Sequence, residues 1–145
     1  MKGKYTRLLR EKAFKVTSPR LKILETLGHA DVPMTASEIH TQLQDQGTDM
    51  ATVYRCLNKF VESGLLRRLD FGDEFARFEL VGESHHHHII CSKCGKVEEI
   101  RMCNFETLAK HITETSGFHV LSHEVLYRGL CPDCIKKHGI EDEGD

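Results

Sequence analysis

The 145-residue chain has no apolar run approaching the roughly 20 residues that a membrane-spanning helix needs, so no membrane partner is expected. Its opening residues lack the features of a secretory signal. Six cysteines in a chain without secretory features point to a reducing, cytoplasmic setting, and so to bound metal rather than disulfides. No internal repeat or low-complexity segment occurs beyond one histidine tract and an acidic tail. Net charge is only −2 but is unevenly placed. Residues 1–70 carry 12 Lys/Arg against 8 Asp/Glu; residues 71–145 carry 8 against 14, ending in Glu141-Asp142-Glu143-Gly144-Asp145. Such asymmetry suits a basic, nucleic-acid-facing half joined to an acidic, metal-collecting half.

What the chain does have is concentrated in His85-His86-His87-His88-Ile89-Ile90-Cys91-Ser92-Lys93-Cys94, with a second Cys-x-x-Cys at Cys131 and Cys134. Thiolate and neutral imidazole are the ligands of Zn²⁺ and other borderline metals. Two thiol pairs predict a closed tetrahedral zinc site of Cys91, Cys94, Cys131 and Cys134. The 36 residues between Cys94 and Cys131 must hold a whole structural element. Ile89-Ile90 reads as a strand, and strand side chains alternate faces. If the extension reaches His85, then His86 and His88 point one way and His85 and His87 the other. One tract can thereby feed two metal sites on opposite sides of a strand.

The rest reads as α+β. A first helix covers Lys4–Lys12. Thr17-Ser18-Pro19 caps a second, with Leu21, Leu24 and Leu27 inward and a stop near Gly28. Residues 29–33 form a loop. Thr35 and Glu38 match a capping box opening a third helix, with Ile39 and Leu43 inward and Gly47 at its end. A fourth follows Thr48-Asp49, with Val53, Leu57, Phe60 and Val61 on one stripe. Strands around 65–70 and 75–81 complete a winged helix-turn-helix, its third helix bracing and its fourth entering the major groove. Ala51, Thr52, Tyr54, Arg55 and Asn58 lie off the apolar stripe and can face bases or phosphates. Beyond a hinge at 82–84, strands at 89–90, 97–100 and 120–127 surround a helix from Asn104 carrying Phe105, Leu108, Ala109 and Ile112. This small α/β domain cannot cover both sheet faces, and a two-fold dimer is the natural remedy. The expected domains are 1–81 (DNA-binding), 85–138 (metal-binding and dimerising) and an acidic tail, 139–145.

Enzyme readings fare poorly. A zinc protease needs a second His after His123-Glu124, where Val125-Leu126-Tyr127 stands. The deaminase pattern needs Pro-Cys-x-x-Cys, and here the proline lies inside the knuckle. Two matched thiol pairs suggest mutual occupation by a metal rather than redox cycling. A metal buffer would have no use for a helix-turn-helix face.

Lys15-Val16-Thr17-Ser18-Pro19-Arg20, Ala51-Thr52-Val53-Tyr54-Arg55, Phe71-Gly72-Asp73 through Arg77-Phe78-Glu79, the histidine run with Cys91-x-x-Cys94-Gly95, and Gly129-Leu130-Cys131-x-x-Cys134 together resemble the ferric uptake regulator family of metal-dependent bacterial repressors. The resemblance spans nearly the whole chain, in order. It implies a homodimer that metal brings into register with an AT-rich palindromic operator in promoters of metal-uptake genes. It also implies structural zinc on the four cysteines and a regulatory site of Glu79, His86, His88 and Glu99. An additional site would comprise His85, His87, Glu106 and His123. Tyr54 and Arg55 match base-reading positions and Lys15 a minor-groove residue; Arg20 and Thr52 lie in the same motifs.

The chain also departs from the family. Iron and peroxide regulators usually carry a winged-domain histidine where Val32-Pro33 stands here, leaving His29 and Asp31 as replacements. His87 occupies a position that is often Asp in iron sensors and His in zinc sensors. The regulatory ion is therefore Zn²⁺ or Fe²⁺, with Mn²⁺ a substitute, and the nitrogen-rich donors lean towards zinc. A peroxide-sensing variant is the alternative within the family. Cys56 and Cys103 match no ligand position and are expected as small buried hydrophobes. His40, His111, His119 and His138 read as ordinary surface or packing residues.

Overall fold

Local signals in the first half set where its helices begin. The computed structural model describes residues 2–82 and 85–140 and divides the chain into two compact units, 1–83 and 84–145. Glu83 and Ser84 of the expected hinge, and 141–145 of the expected tail, lie outside the described residues. In the first unit α1 spans Lys2–Glu11 and α2 Ser18–His29, with the Thr17 hydroxyl accepting from the Arg20 amide as N-cap. The helix runs past Gly28, which is glycine for another reason: a methyl there would overlap the Tyr5 hydroxyl. α3 (Ala36–Gln42) opens on the expected capping box, Thr35 Oγ1 accepting from Glu38 N at 3.1 Å and Glu38 Oε1 from Thr35 N at 2.9 Å. A 3₁₀ turn at Gln44–Gln46 and left-handed Gly47 (φ 68°) lead to α4 (Met50–Glu62), whose first turn Asp49 caps through Thr52 N at 2.8 Å.

The wing is β2 (Leu66–Asp70) against β3 (Ala76–Leu80), antiparallel. Sequence reading missed β1 (Met34–Thr35), which pairs along the other edge of β3 to give the order β1-β3-β2. Its two residues are too few for any alternation to show. Phe60, Phe78, Leu9, Ile23, Leu24, Ile39, Leu43, Leu57 and Val53 are fully buried in one cluster drawn from α1 to α4 and β3. Each such side chain contributes on the order of 1.5–3 kcal/mol through removal from water. The result is a winged helix-turn-helix standing on its own apolar core.

The second unit is built differently. β4 (His87–Cys91) is central, antiparallel to β5 (Val97–Ile100) and parallel to β6 (Leu126–Gly129), in the order β5-β4-β6. A parallel neighbour requires a crossover, which α5 (Phe105–Ser116) and the irregular 117–125 segment supply. The strand expected over 120–127 is therefore corrected: only its end reaches β4, and the residues before it have no strand partner. α6 (Pro132–His138), also missed, starts with Pro at N1 after Cys131 and ends in Lys136, Lys137 and His138 before Gly139. Those are helix start and stop signals, hidden within a thiol knuckle. Among the described residues, the buried ones in this unit are His87, His88, Ile90, Cys91 and Cys134, and α5 buries none. No helix among the described residues is long and apolar enough to cross a membrane.

Candidate metal centres and nucleic-acid face

The four cysteines meet because β4 ends where α6 begins. Cys91 closes β4, a tight turn brings Gly95 N back to Cys91 O at 2.9 Å, and left-handed Gly95 (φ 79°) lets it turn. Cys131 caps α6 and Cys134 lies in its first turn, while Ser92 N bonds Gly129 O at 2.8 Å to join the two knuckles. All four sulfurs lie within 4.8 Å of one another, with Cys94 and Cys131 3.7 Å apart. A Zn–S bond of ~2.3 Å makes the edge of a ZnS₄ tetrahedron about 3.8 Å, so the donor set fits zinc. Backbone N–H groups of Cys94 and Cys131 pull the Cys91 thiol down to about 6, favouring the thiolate that binds metal. Burial, then contact with the other thiols, pushes metal-free Cys134 up to about 12.

β4 separates the histidines as period 2 dictates. On one face, His85 and His87 meet His123 from the 117–125 segment. The three Nε2 atoms lie 3.2 Å (His85–His87), 3.1 Å (His85–His123) and 3.1 Å (His87–His123) apart. Cys103, just after β5, brings its Sγ to 3.3 Å from both His87 Nε2 and His123 Nε2. Phe105 stacks on His123 with ring centroids 4.0 Å apart and planes 11° from parallel, fixing that imidazole. Burial and the neighbouring imidazoles of His85 and His123 depress the basicity of His87, keeping it neutral as a ligand must be. Glu106 lines the same pocket but is not among the four converging donors. The expectation that Cys103 is a buried hydrophobe is overturned, since it is exposed and its sulfur faces imidazoles. Cys56 is buried beside the core as expected, and burial raises its thiol.

On the other face His86 and His88 sit with ring centroids 5.0 Å apart. The antiparallel register places Glu99 opposite His88, and Glu99 Oε1 lies 3.3 Å from His86 Nδ1. Arg101 holds the second Glu99 oxygen at 3.2 Å. In the first unit, Glu79 pairs with Arg67 at 3.1 Å across the wing. His29 Nδ1 donates to the Glu25 carbonyl at 2.7 Å at the end of α2, and Asp31 is exposed.

The first unit has a cationic cleft lined by Lys15, Thr17, Pro19, Arg20, Thr52, Arg55, Cys56 and Lys59. Lys15, Arg20, Thr52 and Arg55, four of the seven residues singled out for DNA, therefore share one surface. Arg20 donates to the Lys15 carbonyl at 2.8 Å and lies over the Phe14 ring, so it positions Lys15. Arg55 is exposed and reaches the Thr52 hydroxyl at 3.2 Å. Tyr54 is exposed on α4 outside this cleft, alongside Ala51 and Asn58. Lys59 lines the same cleft and was not singled out from sequence, because a lysine late in an amphipathic helix looks like any solvated charge.

Residues 11–128 match the profile of the Ferric uptake regulator family. The chain belongs to the ferric uptake regulator family. A Ferric uptake regulation protein of Neisseria meningitidis serogroup A is 37% identical over 132 residues, which are 89% of this chain and 92% of that protein. The iron-containing ferric uptake regulator structure from Francisella tularensis superposes with a TM-score of 0.75 at 35% identity, covering 84% of this chain and 95% of that one. The Vibrio cholerae ferric uptake regulator gives 0.75 at 35% identity, covering 87% and 98%.

As a ferric uptake regulator family member, the chain is a metal-responsive transcription regulator, and its thiol and imidazole clusters are sites able to bind metal. Every residue named for the four-cysteine site is brought together. The histidine pairs separate as the strand reading requires, and the converging donor that sequence reading missed is Cys103.

Proposed function

We propose that the chain is a cytoplasmic, homodimeric repressor of metal-uptake genes that closes on an AT-rich palindromic operator when metal binds His86, His88 and Glu99. The observation carrying this reading is one chain holding both a winged helix-turn-helix with a cationic cleft and a strand presenting metal donors on both faces. Arg55 and Tyr54 on α4 read bases, while Lys15, held by Arg20, reaches the minor groove. Glu79 enters as a further ligand on the resemblance alone. Dimerisation is supported by the second unit's exposed apolar side chains, among them Leu108, Ile112, Phe118, Leu121 and Tyr127. Metal acts as a population shift. Turning a mostly open chain into a mostly closed one needs roughly 5 kcal/mol of differential metal binding. The protein performs no catalytic step in this reading.

Ferrous ion is the first reading of the sensed metal, because a carboxylate joins two imidazoles there and the relatives are ferric uptake regulators. Zinc is the second, favoured by His87 and the softer donors around it. Binding of the dimer to a palindromic operator, measured anaerobically under buffered Fe²⁺, Mn²⁺ and Zn²⁺ in turn, tests both. Tight binding only with Fe²⁺ or Mn²⁺ supports the first reading, and tight binding at far scarcer free Zn²⁺ supports the second. Metal-independent binding, or none with any ion, contradicts the proposal itself.

A further inference from the structure

We propose that Cys103 is the fourth ligand of a His₃Cys zinc site formed with His85, His87 and His123, in the place where the family resemblance would put Glu106. Three Nε2 atoms mutually 3.1–3.2 Å apart cannot all be hydrogen-bonded to one another. Each neutral Nε2 carries either one N–H or one lone pair, so in any triangle two like groups must face each other. A cation at the centre removes the conflict by accepting all three lone pairs. Cys103 Sγ, 3.3 Å from two of these nitrogens, supplies the fourth vertex. With Zn–N near 2.0–2.1 Å and Zn–S near 2.3 Å, a tetrahedron has N···N edges of about 3.3–3.4 Å and N···S edges of about 3.6 Å. The spacings found lie just inside those edges, so only a small outward breathing is needed to seat the ion.

The donors come from separate segments: the entry to β4, β4 itself, the residues after β5, and the irregular stretch before β6. An ion here fixes 117–125, which has no regular secondary structure, onto the sheet. Exchanging a carboxylate for a thiolate changes which ion is held. Soft sulfur and three imidazoles in a closed four-coordinate set favour Zn²⁺ over Mn²⁺ and Fe²⁺, which prefer oxygen donors and higher coordination. The site is thus zinc-selective whichever ion His86 and His88 carry, and it does not depend on the DNA-binding reading.

Cobalt(II) serves as the probe, titrated to two equivalents into the full chain with its four-cysteine site already zinc-filled, so that the His85, His87 and His123 cluster is loaded even where His86 and His88 take the first ion. The wild type is expected to show tetrahedral ligand-field bands together with a near-ultraviolet thiolate-to-cobalt charge-transfer band. Cys103→Ser, at an exposed position outside any helix or strand, should lose the charge-transfer band and roughly 100-fold in zinc affinity, at least what loss of a mere supporting partner costs at such sites. Glu106→Gln should leave band and affinity unchanged. His123→Ala should lose both, which shows that cobalt has not entered the four-cysteine site. A wild-type spectrum without charge transfer overturns the proposal. So does a band that survives Cys103→Ser or His123→Ala, or an affinity loss on Glu106→Gln matching that of Cys103→Ser.

Discussion

The two units solve the problem of holding a small fold together by different physics. The first closes one apolar cluster over Phe60, Phe78, Leu57 and their neighbours, each removed from water. The second buries only Ile90, Cys91 and Cys134 among its described apolar side chains, and its other buried residues are His87 and His88. Its central strand ends in a thiol knuckle and carries imidazoles on both faces. A domain of roughly 60 residues with so little core needs staples. Here the staples are metal donors, and α5 leaves Leu108 and Ile112 exposed. The difference suits a metal-responsive regulator, because the unit that carries the thiol and imidazole clusters is the unit that can report metal.

The largest effect should come from breaking a staple. Cys94→Ser or Cys134→Ser is expected to lose one zinc per chain and unfold the second unit, since structural zinc supplies roughly 10 kcal/mol or more in small domains. Helical signal from the first unit should persist. Zinc analysis with two-transition melting checks this, and an unchanged zinc content and melting profile contradicts it. Next comes the core: Phe60→Ala should cost the first unit about 3–5 kcal/mol while leaving zinc content intact, read as a shift of one denaturation midpoint. Loss of zinc in that variant would mean that the units do not stand apart.

Smaller effects sharpen the contrast on the DNA side. Arg55→Ala should cost about 1–3 kcal/mol on operator DNA and relax preference at one base step, whereas Lys15→Ala should weaken specific and random DNA alike and flatten the salt dependence. Equal losses on both DNAs for Arg55→Ala would reduce Arg55 to a phosphate contact. Smallest is Thr35→Ala, which removes half a capping box and should cost about 1 kcal/mol of first-unit stability by thermal denaturation, without touching metal binding.

What was legible in the sequence follows from how local each determinant is. Thr17, Thr35 and Asp49 cap their helices through the next few residues, so three helix starts could be read directly. The split of His85 and His87 from His86 and His88 needs only the period of a strand. The four cysteines announce themselves through paired spacing. β1 was invisible because its partner in β3 lies more than forty residues away in sequence. Cys103 was misread because a lone thiol has no spacing signal. Its role comes from the end of β5 meeting a segment that His123 anchors, a contact between distant parts of the chain. Glu106 looked the better ligand only by resemblance.

The contrast between the units is tested most directly by amide hydrogen exchange of the full chain, metal-loaded and after chelation, resolved along the sequence. Metal removal is predicted to strip protection from β4, β5 and β6 while α2, α3, α4 and β3 keep theirs. Protection lost together in both units, or retained in both, would contradict the account.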